Sequence, residues 1–392
     1  MNLESLRITF LVDKSSPFYI GGYENRVWNI AKRLATKNDV TVLTSLDSPT
    51  KTIERVDFRR VCTTAFQREV TGTRSLPHSL LFSLSMFRDQ LSTFDPQVLI
   101  VEAIPYLHLK TMKRWVLRHK TLRVLNVNEA WFRYSYVVGF GSYSSAWLIR
   151  SLLKEGLDWS DLAIAISTAT ADSLKENFQS RNVATVPMGI DIARTAKLCS
   201  AINRSEQYDF VTVGRLVRMK RHADLVKALD QFKRALGWSG RAAIVGQGPE
   251  AEGLRGLVKK LGLSQQIDLL GFLPDEERFR VLRSSSYFVL PSEREGFSLA
   301  TLEALAAGTP AIVARPRSPE VFGVKDLVTD GVNGLYYECG NIASLVFALR
   351  RALGERQHGI SSWQAAATET ANEFDWDRIV PQLETELRLR IT

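Results

Sequence analysis

Two glutamates, Glu295 and Glu303, form the pattern with the most chemical meaning in this sequence of 392 residues. The apolar run Tyr287–Leu290 before them is short and rich in β-formers, which predicts a buried strand. The segment Ser298–Gly308 has the composition of a helix and ends at a glycine shortly before Pro310. Carboxylates at the carboxyl end of a strand, beside the start of a helix, occupy the position at which open α/β sheets bind ligands.

The two acids suggest recognition of a ligand that carries hydroxyls and phosphate. They are eight positions apart, slightly more than two helical turns, so both could face the same side. The acids could accept hydrogen bonds from sugar hydroxyls, while the free N–H groups at the helix start hold a phosphate. An ordinary exposed helix would also carry acids near its N-terminus because of the macrodipole. The spacing alone leaves both interpretations open.

Two cations, Arg215 and Lys220, follow another predicted strand, Phe210–Val213. Gly214 permits a tight exit from that strand, and a helix is predicted over Ala223–Arg234. An arginine fork and a lysine point charge at the end of a strand can hold a diphosphate. A solvated basic loop is the alternative, since four basic residues occur within seven positions.

Glycine-containing turns follow the next two predicted strands. Gly246 and Gly248 belong to the turn GQGP, and Phe272 and Leu273 to the turn GFLP. Each turn is a weak signal, because tight turns after strands are common. Four successive strands nevertheless end in glycine- or charge-bearing turns at the same edge, which indicates a nucleotide site.

The N-terminal half offers candidates for the other substrate. Gly21 and Gly22 precede a predicted helix, whose first N–H groups could meet a phosphate or the reacting sugar. A flexible turn fits these glycines equally well. Asn128 and Glu129 end a predicted strand and could also reach a ligand. Glu129 could instead pair with an arginine, because it is the only acid among nine Lys and Arg residues in the block 103–154.

The whole chain alternates predicted strands and helices, as doubly wound parallel sheets do. The predicted strands are 7–12, 39–43, 98–101, 123–127, 162–166 and 183–186, and then 210–213, 242–245, 267–270, 287–290 and 311–313. The two series predict an α/β protein with two Rossmann-like domains, 1–187 and 208–370, joined by a linker at 188–207. Two such domains facing a cleft would form a ligand site.

The composition narrows the possible partners and location. The net charge of +9 is concentrated in the block 103–154, which would attract nucleic acid, anionic lipid or a phosphorylated substrate. No nucleic-acid-binding motif accompanies this charge, so nucleic acid is not expected as a partner. Interleaved Trp and Tyr favour an anionic membrane surface, and core aromatics beside a solvated basic face are the alternative. The aromatic residues of the block are Trp115, Trp131, Phe132, Tyr134, Tyr136, Phe140, Tyr143 and Trp147.

Other common site chemistries find no support in the sequence. The three cysteines fit neither a disulfide framework nor a zinc site, which favours a reducing, cytoplasmic setting. The five histidines are scattered, and no P-loop, metal signature or Ser/His/Asp order occurs. No run of eighteen apolar residues is present, and the apolar N-terminal stretch predicts a first strand rather than a signal peptide.

Taken together, these motifs resemble the family 4 retaining glycosyltransferases of the GT-B fold over nearly the whole chain. The most specific match is EGFSLATLE, with the family's paired glutamates Glu295 and Glu303, followed by GRLVRMK with Arg215 and Lys220. The Gly-Gly loop, PMGID, GQGPE, GFLP and the terminal FDWDRI support it. The resemblance also implies a C-terminal helix, 371–392, that packs towards the N-terminal domain.

The resemblance implies a hexosyltransferase that uses a nucleotide-diphosphate sugar and no metal or other cofactor. Glu295 would bind the transferred sugar, Glu303 the ribose, and Arg215 with Lys220 the diphosphate. Backbone groups of Gly296, Phe297, Ser298 and Leu299 would assist, and Gly246, Gly248, Phe272, Leu273, Gly21 and Gly22 would complete the donor site. The configuration of the sugar would be retained by front-face attack, with the leaving phosphate helping to deprotonate the acceptor.

One departure from the family concerns the acceptor side. Many members carry a histidine at the end of the strand that here reads Asn126–Glu129, so Asn128 or Glu129 would take that position. The expected acceptor is a lipid-linked molecule or a growing glycan, used at the cytoplasmic face of a membrane. A nucleotide-sugar epimerase of the same fold and a non-catalytic sugar-nucleotide-binding subunit stay open as alternatives.

Overall fold

The computed structural model describes residues 5–19, 21–46, 50–62, 76–85, 93–130, 143–202, 207–316, 318–319 and 322–391. The chain separates into two compact units. Unit 1 comprises Met1–Met188 and Trp376–Thr392, and unit 2 comprises Gly189–Asp375. Each unit is organised around its own sheet.

The described part of unit 1 contains a sheet of eight strands. They are β1 (Arg7–Leu11), β2 (Asp39–Ser45), β3 (Thr50–Ile53), β4 (Val56–Cys62), β5 (Val98–Glu102), β6 (Leu122–Val127), β7 (Leu162–Ala165) and β8 (Val183–Thr185). Their order is β3-β4-β2-β1-β5-β6-β7-β8, and only the β3–β4 pair is antiparallel. Helices cover both faces, so a central strand such as β5 is buried at every position. The helices that precede β9 in this unit are α1 (Gly22–Leu34), α2 (Leu76–Ser85), α3 (Leu107–Val116), α4 (Tyr143–Trp159) and α5 (Thr168–Phe178).

Unit 2 has a fully parallel sheet among its described residues. Its strands are β9 (Tyr208–Val213), β10 (Ala242–Val245), β11 (Ile267–Gly271), β12 (Ser285–Leu290), β13 (Ala311–Arg315) and β14 (Gly334–Glu338). The order β11-β10-β9-β12-β13-β14 is that of the dinucleotide-binding doubly wound sheet. Its helices are α6 (Ile192–Ser200), α7 (His222–Leu236), α8 (Ala251–Lys260), α9 (Asp275–Arg283), α10 (Leu299–Ala306), α11 (Ile342–Gly359) and α12 (Ser361–Glu373).

The last helix, α13 (Trp376–Ile391), belongs to unit 1 and packs against α1. Ile379, Leu383 and Leu387 recur at helical spacing and form its buried face. Arg33 of α1 donates a hydrogen bond of 2.6 Å to Asp377 at the start of α13. The helix expected at 371–392 therefore begins at Trp376.

The span 188–207, which the sequence predicts to be a linker, contains helix α6. Asp191 caps this helix, because its carboxylate accepts a 2.9 Å hydrogen bond from the backbone N–H of Arg194. Thr195 and Cys199 lie four positions apart and face inwards. A capping residue followed by inward positions at helical spacing makes Ile192–Ser200 an ordered helix of unit 2 rather than part of a linker.

The sequence also predicts no strands over 50–62, where the structure has the antiparallel pair β3 and β4. The residues between them, Glu54 and Arg55, have φ of 46° and 67°. A two-residue turn with both residues in the left-handed region usually contains Asn or Gly. Because this turn contains neither, the hairpin carries no recognisable turn signal. Strand β14 is a further strand that the sequence analysis leaves out.

Candidate active site

The carboxyl ends of β9 and β12 define the switch point of the unit 2 sheet. These two strands are neighbours, and the chain continues from β9 to one side of the sheet and from β12 to the other. Doubly wound sheets bind their ligands at such a point. Arg215 and Lys220 follow β9, and Glu295 follows β12, so the structure brings three predicted site residues to one edge.

Lys220 and Glu295 are in direct contact. The ammonium nitrogen Nζ of Lys220 donates a hydrogen bond of 2.5 Å to Oε1 of Glu295, and the two side chains are 20% and 13% exposed. Lys220 ends a short 3-10 turn, and the carbonyl of Met219 within that turn accepts a 2.9 Å hydrogen bond from the N–H of Glu293. The loops after β9 and β12 are thus joined by both backbone and side chains.

Glu295 lies outside helix α10, so helical spacing does not relate it to Glu303. Its backbone forms an isolated parallel bridge with Phe322, and its carbonyl accepts a 3.0 Å hydrogen bond from the N–H of Gly323. The helix begins only at Leu299, after a residue whose backbone is left-handed. The position of Glu295 is therefore set by the loop and not by the helix.

The start of helix α10 can bind an anion through its backbone. Ser298 is the N-cap at φ 95°, and its hydroxyl accepts from the N–H of Thr301 over 3.3 Å. The first N–H groups of a helix have no partner within the helix, which makes those around Leu299 candidates for a phosphate. Phe297 is buried at 3% exposure and packs edge-on against Phe374, with ring centroids 5.4 Å apart. Only the backbone of Phe297 is therefore suited to contact a ligand.

The glycines of the turn after β10 hold in place the loop after β9 that carries Arg215 and Lys220, here called the cationic loop. A Cβ on Gly246 would lie 1.8 Å from the carbonyl oxygen of Gly214, and a Cβ on Gly248 would lie 2.5 Å from that of Leu216. Both glycines also have positive φ, 140° and 157°. The turn therefore packs backbone to backbone against the loop that presents Arg215, whose side chain is exposed.

His222 stabilises the same loop through contacts of its two ring nitrogens. Its Nε2 lies 3.3 Å from the carbonyl of Arg215, and its Nδ1 lies 3.4 Å from the hydroxyl of Thr212. A carbonyl can only accept, so Nε2 carries the proton and Nδ1 accepts from the threonine. Burial is the main cause that lowers the pKa of His222; the hydrogen bond to the Arg215 carbonyl raises it, the nearby Lys220 lowers it, and the net value is about 4. The ring is a neutral support for the cationic loop.

Glu303 is held by an arginine that the sequence analysis leaves out. Nε and Nη2 of Arg278, on helix α9, donate to the two oxygens of Glu303 over 3.0 and 2.9 Å. Nη2 of Arg278 also donates to Asp275 over 2.9 Å. Burial raises the pKa of Glu303, and the charge and hydrogen bonds of Arg278 oppose that rise.

The turn after β11 presents an aromatic ring at the same edge of the sheet. The side chain of Phe272 is 57% exposed, and Leu273 is half-buried. The carbonyl of Gly271 accepts a 2.7 Å hydrogen bond from the N–H of Gly246, which places this turn beside the preceding one.

Unit 1 has its own switch point, at the carboxyl ends of β1 and β5. Glu102, the last residue of β5, is 5% exposed and accepts hydrogen bonds from the amides of Asn126 and Asn128, the latter over 2.8 Å. Asn128, a predicted site residue, is thus buried beside a carboxylate. Its oxygen Oδ1 has no hydrogen-bond partner among the described residues.

The remaining unit 1 candidates are engaged with their neighbours. Glu129 accepts a hydrogen bond from the hydroxyl of Tyr23. Gly21 directly precedes α1, and a Cβ there would lie 2.0 Å from the carboxylate of Glu24. The absent side chain of Gly21 makes room for this buried carboxylate at the helix start.

Two family profiles match this chain. The profile described as "Glycosyltransferase Family 4" matches residues 20–194, and that described as "Glycosyl transferases group 1" matches residues 200–368. The two matches follow one another along the chain and fall on two doubly wound sheets. The chain belongs to the GT4-type glycosyltransferases.

Curated relatives of this glycosyltransferase chain are distant. It is 27% identical over 236 residues to a glycogen synthase of Mycobacterium tuberculosis, which covers 60% of this chain and 53% of the relative. The chain thus spans about half the length of that relative. It is 23% identical to the sulfoquinovosyl transferase SQD2 of Arabidopsis thaliana, over 97% of this chain and 73% of the relative.

Solved structures show that the fold is GT-B. Sucrose-phosphate synthase from Thermosynechococcus elongatus superposes with a TM-score of 0.78 at 18% identity, over 97% of this chain and 98% of that one. Anabaena HepE in complex with UDP superposes with a TM-score of 0.70 at 18% identity, over 97% and 99% of the two chains. At such identities the likeness concerns the fold alone.

Several polar residues of this GT4-type chain escape the sequence analysis. Arg278 lies on a helix of ordinary charged appearance, and its contact with Glu303 is a tertiary one. Glu102 and Lys14 are 5% and 1% exposed, and each stands at the end of an apolar strand or just after it. A charged residue in that position of a buried strand is the signal that could have identified them.

Proposed function

We propose that the chain is a retaining glycosyltransferase that moves a hexose from a nucleotide-diphosphate sugar to a hydroxyl acceptor. The observation that carries this proposal is the Lys220–Glu295 contact at the switch point of unit 2, beside the start of α10. A cation for a diphosphate and a carboxylate for sugar hydroxyls meet there, as a nucleotide-diphosphate sugar requires.

In this proposal residues of unit 2 hold the diphosphate, the hexose and the ribose of the donor. Lys220, Arg215 and the first N–H groups of α10 bind the diphosphate, and Glu295 accepts hydrogen bonds from the hexose. Glu303 binds the ribose. Two solved structures of similar fold contain UDP, and ADP with acarbose, which supports a nucleoside diphosphate as the donor's leaving group.

The proposed chemistry uses charge rather than an enzyme nucleophile. As the bond between the anomeric carbon and the diphosphate breaks, negative charge develops on the leaving oxygen, next to Lys220 and Arg215. Cations placed where charge develops stabilise the transition state, so no metal is required in this proposal. The leaving phosphate takes the proton of the acceptor hydroxyl, which attacks from the same face and retains the anomeric configuration.

We further propose that unit 1 binds a lipid-linked or glycan acceptor at an anionic membrane surface. Helix α3 packs between α2 and α4, and these helices expose Leu84, Leu117, Trp147 and Leu148 at 50% to 71%. Exposed bases on α3 and just after it are Lys110, Lys113, Arg114, Arg118 and Lys120. Exposed apolar side chains among cations suit an anionic lipid interface.

The setting that we propose is the cytoplasmic face of a membrane. Cys62, Cys199 and Cys339 are free thiols, which suits a reducing compartment. Among the described residues, no helix combines the length and apolar character needed to cross a bilayer. Residues Trp131 to Phe140 of the aromatic block lie outside the described part of the chain.

A panel of nucleotide sugars tests the function. Each is mixed with the protein, and the midpoint of thermal unfolding and slow donor hydrolysis are measured without and with chelator. Binding stabilises the folded state by RT ln(1 + [L]/Kd), so the donor should stand out from the panel. Loss of activity with chelator would exclude the metal-free mechanism.

The same reactions separate the two alternatives. An epimerase would convert the nucleotide sugar into its epimer without any acceptor. A non-catalytic subunit would bind the donor but neither hydrolyse nor transfer it. The anomeric configuration of the product, read by NMR coupling constants, tests retention.

A further inference from the structure

A continuous chain of charges connects helix α6 to the glutamate assigned to the ribose. Arg194 contacts Asp275 over 2.8 Å, Asp275 contacts Arg278 over 2.9 Å, and Arg278 contacts Glu303 over 2.9 Å. Exposure of the side chains falls along this series, from 62% for Arg194 to 17% for Arg278 and 12% for Glu303. The buried end is therefore the Arg278–Glu303 pair.

The pair fixes the orientation of the Glu303 carboxylate. Two nitrogens of one guanidinium bind its two oxygens, which is the fork arrangement that a planar arginine favours. A carboxylate has about four acceptor positions, and the fork occupies two of them. The other two positions, one on each oxygen, diverge to opposite sides of the carboxylate and are fixed in space by the same contact.

The two free positions lie on opposite sides of the carboxylate, so each suits one hydroxyl rather than a pair on adjacent carbons. The ribose of a nucleoside diphosphate offers such hydroxyls at its 2′ and 3′ positions. Arg278 also favours the ionised form of the carboxylate, because its charge and hydrogen bonds oppose the rise in the pKa of Glu303 that burial causes. An ionised acceptor makes stronger hydrogen bonds than a neutral carboxylic acid would.

We propose that Arg278 is a positioning residue, which holds the Glu303 carboxylate in the orientation that accepts a hydrogen bond from a ribose hydroxyl of the donor. This inference deepens the proposed function and rests on it. Arg278 itself does not touch the ribose, so its contribution passes through Glu303. A purely structural ion pair, and an ion pair that the ribose must break, are the rival interpretations.

Matched nucleotides distinguish these interpretations without any activity assay. The dissociation constants of UDP, GDP and ADP are measured by calorimetry, and the tightest is compared with its 2′,3′-dideoxy analogue. Wild type should prefer the ribonucleotide at least tenfold, since the charged hydrogen bond from a ribose hydroxyl is lost in the analogue. Arg278→Met should weaken ribonucleotide binding about tenfold and leave analogue binding within twofold.

Additional variants control for folding and for charge. Arg280→Met removes an exposed arginine from the same helix and should change neither dissociation constant. Glu303→Gln should abolish the preference for the ribonucleotide, and adding Arg278→Met to it should have no further effect. Arg278→Lys keeps the charge without the fork and should give an intermediate preference, which tests the inference if the methionine variant does not fold.

The possible outcomes distinguish a failure of this inference from a failure of the proposed function on which it rests. Equal weakening of both nucleotides by Arg278→Met would show a structural ion pair and overturn the inference. Tighter ribonucleotide binding by that variant would overturn it too, because the ribose would then compete with Arg278. If wild type binds none of the three nucleoside diphosphates, the proposed function fails, and this inference falls with it.

Discussion

Nζ of Lys220 lies 2.5 Å from Oε1 of Glu295, so the cation assigned to the diphosphate and the acid assigned to the sugar are partners of one another. Both side chains are mostly buried. Each therefore satisfies the other's charge. A donor would replace this contact with two separate ones, from Lys220 to phosphate and from Glu295 to hydroxyls.

Single substitutions in this pair should have opposite effects on nucleotide binding. Lys220→Met should weaken nucleoside diphosphate binding about tenfold and slow transfer on the order of 10² to 10³-fold, because it removes charge stabilisation of the leaving group. Glu295→Gln should also lose transfer, but should bind the nucleoside diphosphate at least as tightly as wild type, because Lys220 is released. Calorimetry and initial rates measure both effects.

The double variant gives a check on stability. Either single substitution leaves one mostly buried charge without its partner, whereas Lys220→Met with Glu295→Gln removes both. The double variant should therefore unfold at a higher temperature than either single variant. Lys227→Met, an exposed lysine on α7, serves as the control. Undiminished diphosphate binding by Lys220→Met would contradict the assignment.

Acidification should destabilise unit 2 through His222. Burial is the main cause that lowers its pKa to about 4, against an ordinary value of 6.5. Between these values the unfolded chain binds a proton that the folded chain does not, so stability is retained above pH 6.5 and falls as the pH drops towards 4. The difference corresponds to about 3 kcal/mol when complete.

Substitution of this histidine isolates its contribution. In His222→Gln the free energy of unfolding, measured in urea, should depend less on pH between 6.5 and 4 than in wild type. His108, in unit 1, also has its pKa lowered to about 4, chiefly by burial, so His108→Gln provides a comparison away from the donor loop. Nucleotide binding should lose its acid sensitivity only in His222→Gln. An unchanged pH profile there would refute this role.

The parallel sheets could be predicted because their strands are buried on both faces. Runs such as Val98–Val101 and Tyr287–Leu290 are apolar throughout. Their alternation with predicted helices is compatible with one class of topology, the doubly wound parallel sheet. The β3–β4 hairpin could not be predicted, since Glu54 and Arg55 do not have the composition of the turn that they form. Helix α6 could not be predicted because polar residues surround it in the sequence.

In the candidate site, too, some positions could be predicted from local sequence patterns, whereas other contacts depend on tertiary packing. Lys220 and Glu295 could be expected at one edge because both follow strands of one parallel sheet. The contact of Glu303 with Arg278 depends on how α9 packs beside α10, which no local pattern records. The eight-residue spacing suggested a shared helical face, yet Glu295 precedes the helix.

Asn128 should act through its amide oxygen, oriented by Glu102. Because Glu102 accepts from the NH₂ groups of Asn126 and Asn128, the oxygen of each asparagine must point away from it. A cavity of about 10 Å³, room for one water molecule, is lined by Asn128, Lys14 and Tyr23. Because the amide oxygen of Asn128 has no hydrogen-bond partner among the described residues and Asn128 is the proposed acceptor-side residue, Asn128→Ala should lower kcat/KM of transfer about tenfold, the value of one hydrogen bond.

A double-variant cycle tests whether Glu102 works through Asn128. Glu102→Gln offers one acceptor oxygen in place of two, so as a single substitution it should reduce the rate of transfer. The same change in an Asn128→Ala background should have little further effect on transfer. Glu155→Gln, which removes from α4 a carboxylate paired with Lys113 of α3, is the control. Additive losses would mean that Glu102 acts independently of Asn128.

The exposed bases of α3 should govern binding to anionic vesicles. Lys110 and Arg114 are exposed on α3, one helical turn apart. Each cation near an anionic surface contributes about 1 kcal/mol, so Lys110→Gln with Arg114→Gln should lower the partition coefficient about 30-fold. Co-sedimentation with phosphatidylglycerol vesicles measures it, and higher salt should weaken the binding of wild type.

The apolar contribution is tested separately, because charge alone would also bind a soluble anion. Trp147→Ser should weaken binding to the same vesicles even though it leaves the charge unchanged, since the exposed indole would enter the lipid interface. Lys259→Gln with Lys260→Gln removes two exposed charges from α8 of unit 2 and should have no effect on partitioning. If that control weakens binding as much as the α3 variant does, the attraction depends on net charge, and the surface of α3 is not the membrane-binding face.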